Sequence, residues 1–549
     1  MEASHKALGG TWQALGRSPS DELLQLTFAV KQRGLQELHA TLMRVSDPVS
    51  PEYGMHLSND EVQALTAPDP LHVQLVMDFL RQHGVQAQAV TPNSDFITAT
   101  VSVETAEKLL HTEYVQHSHP EMPESPPVSR ALGGYSLPAE VAAIVDFVAP
   151  TVHLPPVRQL PKKLPFSNQT DPDAMGFNTP KNLRKLYNVA SAEGVAAGNK
   201  QAVTAFLDQK FSSASLKAFW RMYCGGIHCG KGDPKLVGDE TTGRAGIEAM
   251  LDIETITGLA GNVESEFWGF SGRAAGQNEP FMKWLVQMSN TADADVPKIF
   301  SSSYGEDESA WSLEAAQRLN VEFQKAGVRG ITLLFAAGDE GANCKAGAFA
   351  PEWPSSSPYV TAVGGTAPAG GWPSPGGEKA AGLSSGGFSN RWQMPSYQQE
   401  AVAAYLKQSG LPDRKFGYNV SGRSYPDLAA QAENFIVFAG GPQPGVAGTS
   451  CASPAAAALF SLLNDLRLQS GTSSLGFLNP LIYKNAAGFN DITTGSSNGG
   501  CSFSSGWPAR PGWDAVTGVG TPDYAKLAKV IAGLPSGTRR AVAGQNIVV

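Results

Sequence analysis

From residue 181 onward, short apolar runs alternate with segments of helical periodicity, and this alternation constrains the fold more tightly than any other feature. The runs 201–207, 263–269, 298–302, 330–336 and 359–363 read as strands, and 247–259, 312–326 and 454–468 read as helices. Strands separated by helices predict an α/β fold, a parallel sheet with helices on both faces. Ligand sites in such folds gather beyond the carboxyl ends of the strands. Residues that follow the apolar runs are therefore the first candidates for chemistry. The apolar fraction of 42% is enough to bury a sizeable core, which excludes wholesale disorder.

The first 150 residues have a different character. Segments 24–30 and 95–103 alternate as strands, while 35–45, 60–65, 71–83 and 103–111 have helical spacing. With 113–117 as a further strand, the order predicts a ferredoxin-like α/β domain over 1–150. Seven prolines fall between 150 and 180, so 151–175 is expected to be an exposed linker of the kind proteases cut. Residues 176–535 then form the second domain and 536–549 a tail.

Charge and cysteine usage narrow the function. The 41 basic against 50 acidic residues give a net charge of −9, which argues against a nucleic-acid partner. The longest apolar run, about 454–463, is too short for a membrane span. The N-terminus offers no apolar segment for a secretory signal, so the protein is cytosolic or its signal is missing from the chain. Five cysteines leave at least one thiol unpaired, and the lack of a CxxC pair argues against a zinc ribbon. Asn168 and Asn419 head glycosylation sequons, a weak pointer to a secretory route.

Gly448-Thr449-Ser450 precedes an Ala-rich helix, with Pro454 expected in its first turn. Ser450 reads either as an N-cap or as a nucleophile with backbone N–H groups at hand for an oxyanion. A serine nucleophile usually needs a histidine base. Nine of the ten histidines lie at or before residue 153, which leaves only His228 in the second domain. Carboxylates are the remaining choice. Glu248 and Asp252 stand at i and i+4, on one helix face, where their charges repel and raise one pKa. A solvated helix face is the competing reading, but Ile247, Met250, Leu251 and Ile253 narrow that face. Asp339 follows the apolar run 331–338 at the ligand-facing edge, or is an ordinary turn Asp.

Taken together, Ala447-Gly-Thr-Ser450, Ile247-Glu-Ala-Met-Leu-Asp252, Phe335-Ala-Ala-Gly-Asp339 and the stretch 351–366 resemble the sedolisin family of serine-carboxyl peptidases. Segment 26–58 resembles the family's propeptide, so the match covers nearly the whole chain. The resemblance implies a subtilisin-like parallel sheet behind a propeptide domain that acts as an intramolecular inhibitor. It implies that Ser450 attacks the scissile carbonyl, Glu248 is the general base, and Asp252 orients it. Asp339 would stabilise the oxyanion, for which it must be neutral, because only a protonated carboxyl donates a hydrogen bond. An ionised base beside a neutral acid implies an optimum at roughly pH 3–5.

The implied activity is that of a self-processing zymogen, cut between about 167 and 175, that releases tripeptides from free N-termini. An acid endopeptidase of the same family, or an inactive peptide-binding homologue, is the alternative. Ser303 and Gly305 resemble the family segment that pairs with substrate backbone, and Glu306 is a candidate for the substrate's ammonium group. Asp491, Ile492, Arg510, Gly512 and Asp514 resemble a calcium site, with Arg510 where the family usually has Gly. Ala447 likewise replaces a usual Ser. Cys344 and Cys501 resemble a family disulfide, Cys224 and Cys229 are expected to bridge a turn, and Cys451 is left free. The resemblance implies a lysosomal or secreted protein. The crowd of propeptide histidines suggests a switch that loosens the propeptide near pH 6.

Overall fold

The computed structural model describes residues 12–120, 127–152, 154, 162–163, 176–271, 280–345, 347–502 and 504–537. Six strands of the second domain run parallel in the spatial order Lys235–Val237, Glu264–Gly269, Lys200–Ala205, Ile299–Ser302, Thr332–Ala336, Thr361–Pro368. Leu428–Gln431 also pairs in parallel with Thr361–Pro368, and Glu378–Ala380 closes the edge antiparallel to it. The strands are buried along almost their whole length, as expected for a sheet covered on both faces. Strand order reverses beside Lys200–Ala205, which makes the carboxyl ends of the central strands the natural site.

The N-terminal domain holds the expected helices at Leu35–Ser46, Asn59–Thr66, Pro70–Gln82 and Val103–Leu110. Its main sheet is antiparallel, with Leu23–Val30 between Phe96–Ser102 and Val145–Ala149. The strand Tyr114–Ser118 departs from the ferredoxin-like expectation. It joins a separate three-stranded sheet with Gln13–Arg17 and Val128–Ala131. His111, in a left-handed conformation at φ 47°, caps the preceding helix and turns the chain away from the main sheet. Gln13–Arg17 is exposed throughout, so no apolar alternation betrays it.

The expected processing window lies outside the described residues. Within the linker, Lys162–Lys163 is a strand rather than an exposed coil. It pairs antiparallel with Val446 and Ala447 at the end of Pro442–Ala447, just before Ser450.

The two domains meet on the helix Leu313–Val328. Arg318 lies 3.0 Å from Asp95 and 3.2 Å from Asp146 of the N-terminal domain, and donates to Val30 O at 2.9 Å. Lys325 lies 3.0 Å from the same Asp95 oxygen, and Glu322 bridges both cations at 3.3 and 2.9 Å. Burial would raise the Asp95 carboxyl, but Lys325 and Arg318 outweigh it and hold it well below the usual carboxylate range. Leu38 and Leu42 add an apolar contact with Val328 and Phe477. Two histidines face this interface. His39 meets the Tyr359 hydroxyl at 3.3 Å, and His56 packs against Gly330 and Gly476. His83 and His117 instead bond to carbonyls of their own domain.

Candidate active site

The helix Ile247–Ala260 is buried from Glu248 to Ala260 and carries Glu248, Asp252 and Glu254 inside the protein. Burying three acids is costly unless each has a partner or a task, and this removes the solvated-face reading. Gln209 Oε1 accepts the Glu248 N–H at 3.0 Å and so fixes the helix start. Ser303, one residue beyond Ile299–Ser302, donates its hydroxyl to Asp252 Oδ1 at 2.7 Å. Glu254 accepts the Phe438 N–H at 2.8 Å and anchors the hairpin whose second strand leads to Ser450.

The second helix, Thr449–Gln469, packs against the first. It begins earlier than expected, with Gly448 as N-cap, so Ser450 lies within its first turn and is not the cap. Pro454 falls inside the helix rather than in the first turn. It has no N–H to donate to the Ser450 carbonyl four residues back. Ser303 Oγ lies 3.4 Å from that carbonyl and ties the Ser450 backbone to Asp252. Small buried residues at 452 and 455–458 let the two helices approach closely.

Asp339 follows the strand Thr332–Ala336 by three residues. Its Oδ1 accepts from Thr449 N at 2.6 Å and from Thr449 Oγ1 at 2.7 Å. A Cβ on Gly448 would stand 2.5 Å from Asp339 Oδ2, so glycine lets the Asp339 carboxyl approach the backbone just before Ser450. Cys451, next to Ser450 and buried, is within electrostatic range of all three acids. Burial pushes its thiol well up, and the charges of Asp339, Glu248 and Asp252 push it further, so Cys451 is an inert neighbour. His228 is 80% exposed and pairs with Glu193 at 2.9 Å. It sits by Asn262, at the far end of the acid helix. Fourteen residues at the usual helical rise separate it from Glu248 by about 20 Å.

Two family models match the chain. One, for the activation domain of pro-kumamolisin, covers residues 10–154, and one for the subtilase family covers 244–507. The solved structure of Pseudomonas sedolisin, a serine-carboxyl proteinase, covers 65% of this chain and 99% of its own at TM-score 0.51 and 22% identity, which shows a shared fold. Tripeptidyl-peptidase 1 of Mus musculus is 39% identical over 542 residues, 95% of this chain and 93% of the relative. The Homo sapiens protein of that name is 38% identical over 541 residues, with the same coverage. The chain belongs to the sedolisin family of serine-carboxyl peptidases. This sedolisin is a serine peptidase that acts on peptides, and its N-terminal domain is an activation domain that inhibits it.

The remaining candidate residues divide by place. Ser303 is buried beside Asp252, and Gly305 approaches the Trp353 carbonyl. Glu306 pairs with Trp353 across a short antiparallel ladder. Asp307 is engaged by Asn343 and Lys345, and Glu308 is buried under Ser356 and Ser389. Near the C-terminus, Asp491 accepts the Gly512 N–H at 2.9 Å and Asp514 the Arg510 N–H at 3.0 Å, so both carboxylates meet one turn. Arg510 sends its side chain to Ser409 O, away from those carboxylates. Burial pushes Asp514 up to about 7 and Asp491 upward. Ile492 is buried behind them.

Cys344 is bonded to Cys501 and Cys224 to Cys229. Asn419 donates its amide to Ser389 O at 3.0 Å, and Asn168 lies outside the described residues. No helix among the described residues is long and apolar enough to cross a membrane. Gln209, Glu254 and Thr449 were not singled out from sequence. Thr449 alone carried a signal, its place beside Ser450 in the quoted motif.

Proposed function

We propose that this sedolisin is an acid-active, self-processing zymogen that releases tripeptides from free N-termini. The observation that carries the reading is the fully buried Glu248–Asp252 pair beside the Ser450 helix, with the one histidine of the catalytic domain at its far end. Glu248 takes the proton from Ser450 Oγ as it attacks the carbonyl. Asp252, held by Ser303, orients Glu248. Neutral Asp339 donates to the developing oxyanion, in place of the amide donors other serine peptidases use. Glu248 then gives its proton to the leaving amine, and water releases the acyl group by the same steps in reverse.

Substrate would add as a strand along Ser303–Gly305, with its ammonium group at Glu306. Three extended residues reach at most about 10 Å. Relatives named tripeptidyl-peptidase support the same length. The strand Lys162–Lys163 on the edge before Ser450 supports a linker that obstructs the cleft until it is cut. Such an enzyme works in an acidic compartment, a lysosome or an acidified exterior. Peptides with free N-termini should be cut after the third residue, and their acetylated forms at least about 100-fold more slowly, since a half-buried acid loses its charged partner. Equal internal cleavage of both would make the protein an endopeptidase instead.

Calcium completes the proposal. Asp491 and Asp514 meet the 510–512 turn, and the carbonyls of Ile492, Arg510 and Gly512 would supply further hard oxygens. A buried carboxylate, Asp514, and an exposed one, Asp491, at one turn fit a cation that would favour their charged forms. The ion would brace the C-terminal loops. A chelator should lower the melting temperature by several degrees, and calcium should restore it where magnesium does not. An unchanged melting curve would remove calcium from the proposal.

A further inference from the structure

Glu352 is buried beneath the turn that carries Asp339, and the mechanism above does not use it. It lies on the short strand Glu352–Trp353, opposite Asp307. Ser385 joins its carboxyl to the turn. The Ser385 hydroxyl donates to Glu352 Oε1 at 2.6 Å and accepts the Glu340 N–H at 3.1 Å. The Ser385 N–H donates to Gly338 O at 2.9 Å. Both chain neighbours of Asp339 are thus tied to one serine, and that serine to Glu352. The Glu352 carboxyl lies flat against Gly338, at φ +113°, where any Cβ would overlap it. On the opposite flank, Thr449 Oγ1 accepts the Gly338 N–H at 3.1 Å while it holds Asp339.

The groups facing Glu352 are mostly acids. They are Asp307 on the paired strand and Asp339 and Glu340 on the turn, with the Tyr425 hydroxyl accepting the Glu352 N–H at 2.9 Å. Lys345, the nearby cation, is bonded to Asp307. We infer that Glu352 is a positioning residue for Asp339: neutral, it clamps the turn through Ser385, and charged, it forces the turn apart. The inference rests on the reading of Asp339 as the oxyanion acid. Burial first, and then the charges of Asp307, Asp339 and Glu340, push Glu352 up to about 8, so the neutral form prevails at working pH. The sign follows from linkage. A carboxyl raised in the folded state contributes its stability in full below its unfolded value of 4.5, and that contribution is lost as pH rises to about 8.

The test uses processed enzyme carrying Glu352→Gln or Glu352→Ala, with kcat and KM at acid pH and residual activity after incubation near pH 9. Glu352→Ala should lose about 100-fold in kcat with little change in KM, the scale of losing one oxyanion donor. Glu352→Gln still accepts from Ser385, so it should recover most of that loss and outlast the parent at alkaline pH. Parental kcat in Glu352→Ala, or alkaline loss in Glu352→Gln at the parental rate, overturns the inference. If Glu352→Ala does not fold, Ser385→Ala cuts the same clamp and must show the kcat loss, and parental kcat there overturns it equally. Asp339→Ala, which removes the donor, serves as the reference. Full activity in it would sink the oxyanion reading itself, whereas an inactive Asp339→Ala beside parent-like Glu352 variants would sink only the clamp.

Discussion

Glu248→Gln should lower kcat about 10³-fold while KM moves little, the range expected for loss of a positioned general base. The two side chains have the same shape, and the Glu248 N–H keeps its bond to Gln209, so the helix start is preserved. What disappears is the basic atom to which the proposed mechanism gives the Ser450 Oγ proton. Glu248 meets the substrate only in the proton transfers of the chemical step and not in binding it, which is why KM is spared. Asp252→Asn should cost less, because it acts through Glu248 and keeps an oxygen for the Ser303 hydroxyl. Stopped assays at the acid optimum check both. A Glu248→Gln enzyme within tenfold of the parent would assign the proton to another group.

The second large effect concerns the zymogen. Arg318→Ala should destabilise the docked propeptide by about 3–5 kcal/mol, since one partner of a buried ion cluster vanishes and leaves acids uncompensated. Arg318 is 2% exposed and bonds to Asp95, Asp146 and Val30 O, all in the N-terminal domain. Lys325 would then face Asp95 and Glu322 alone. The melting temperature of the unprocessed chain should fall by several degrees, whereas the processed enzyme, which has shed those partners, should melt nearly as the parent does. An equal loss in both forms would show that Arg318 serves the catalytic domain and not the docking.

The parallel sheet was legible because its strands are buried on both faces and therefore read as apolar runs. Thr361–Pro368 exceeded its run because Gly364 and Gly365 interrupt the apolar signal inside a strand. The candidate acids were legible as a helical spacing and a strand end, and the absence of histidine forced attention onto them. Pro454 misled. A proline usually marks a helix start, but here the helix begins five residues earlier and leaves one carbonyl for Ser303. The edge strand Gln13–Arg17 buries too little to show a period, and Lys162–Lys163 is only two residues long. The Asp95–Arg318–Lys325 cluster and the Glu352–Ser385 clamp join residues far apart in the chain. Charges that meet only after folding carry no local pattern, and no reading of neighbours could have paired them.

The central claim is that Ser450 is activated by carboxylates in acid and frees itself from its own propeptide. The most direct measurement incubates the full chain from pH 3 to 8 beside Ser450→Ala, following chain length and cleavage of a tripeptide amide together. The parent should shorten by about 170 residues, the span up to the linker, and gain activity only at acid pH. Ser450→Ala should do neither, with activity down at least about 10⁴-fold. Processing by Ser450→Ala alone, or activity that peaks above pH 7, would contradict the mechanism.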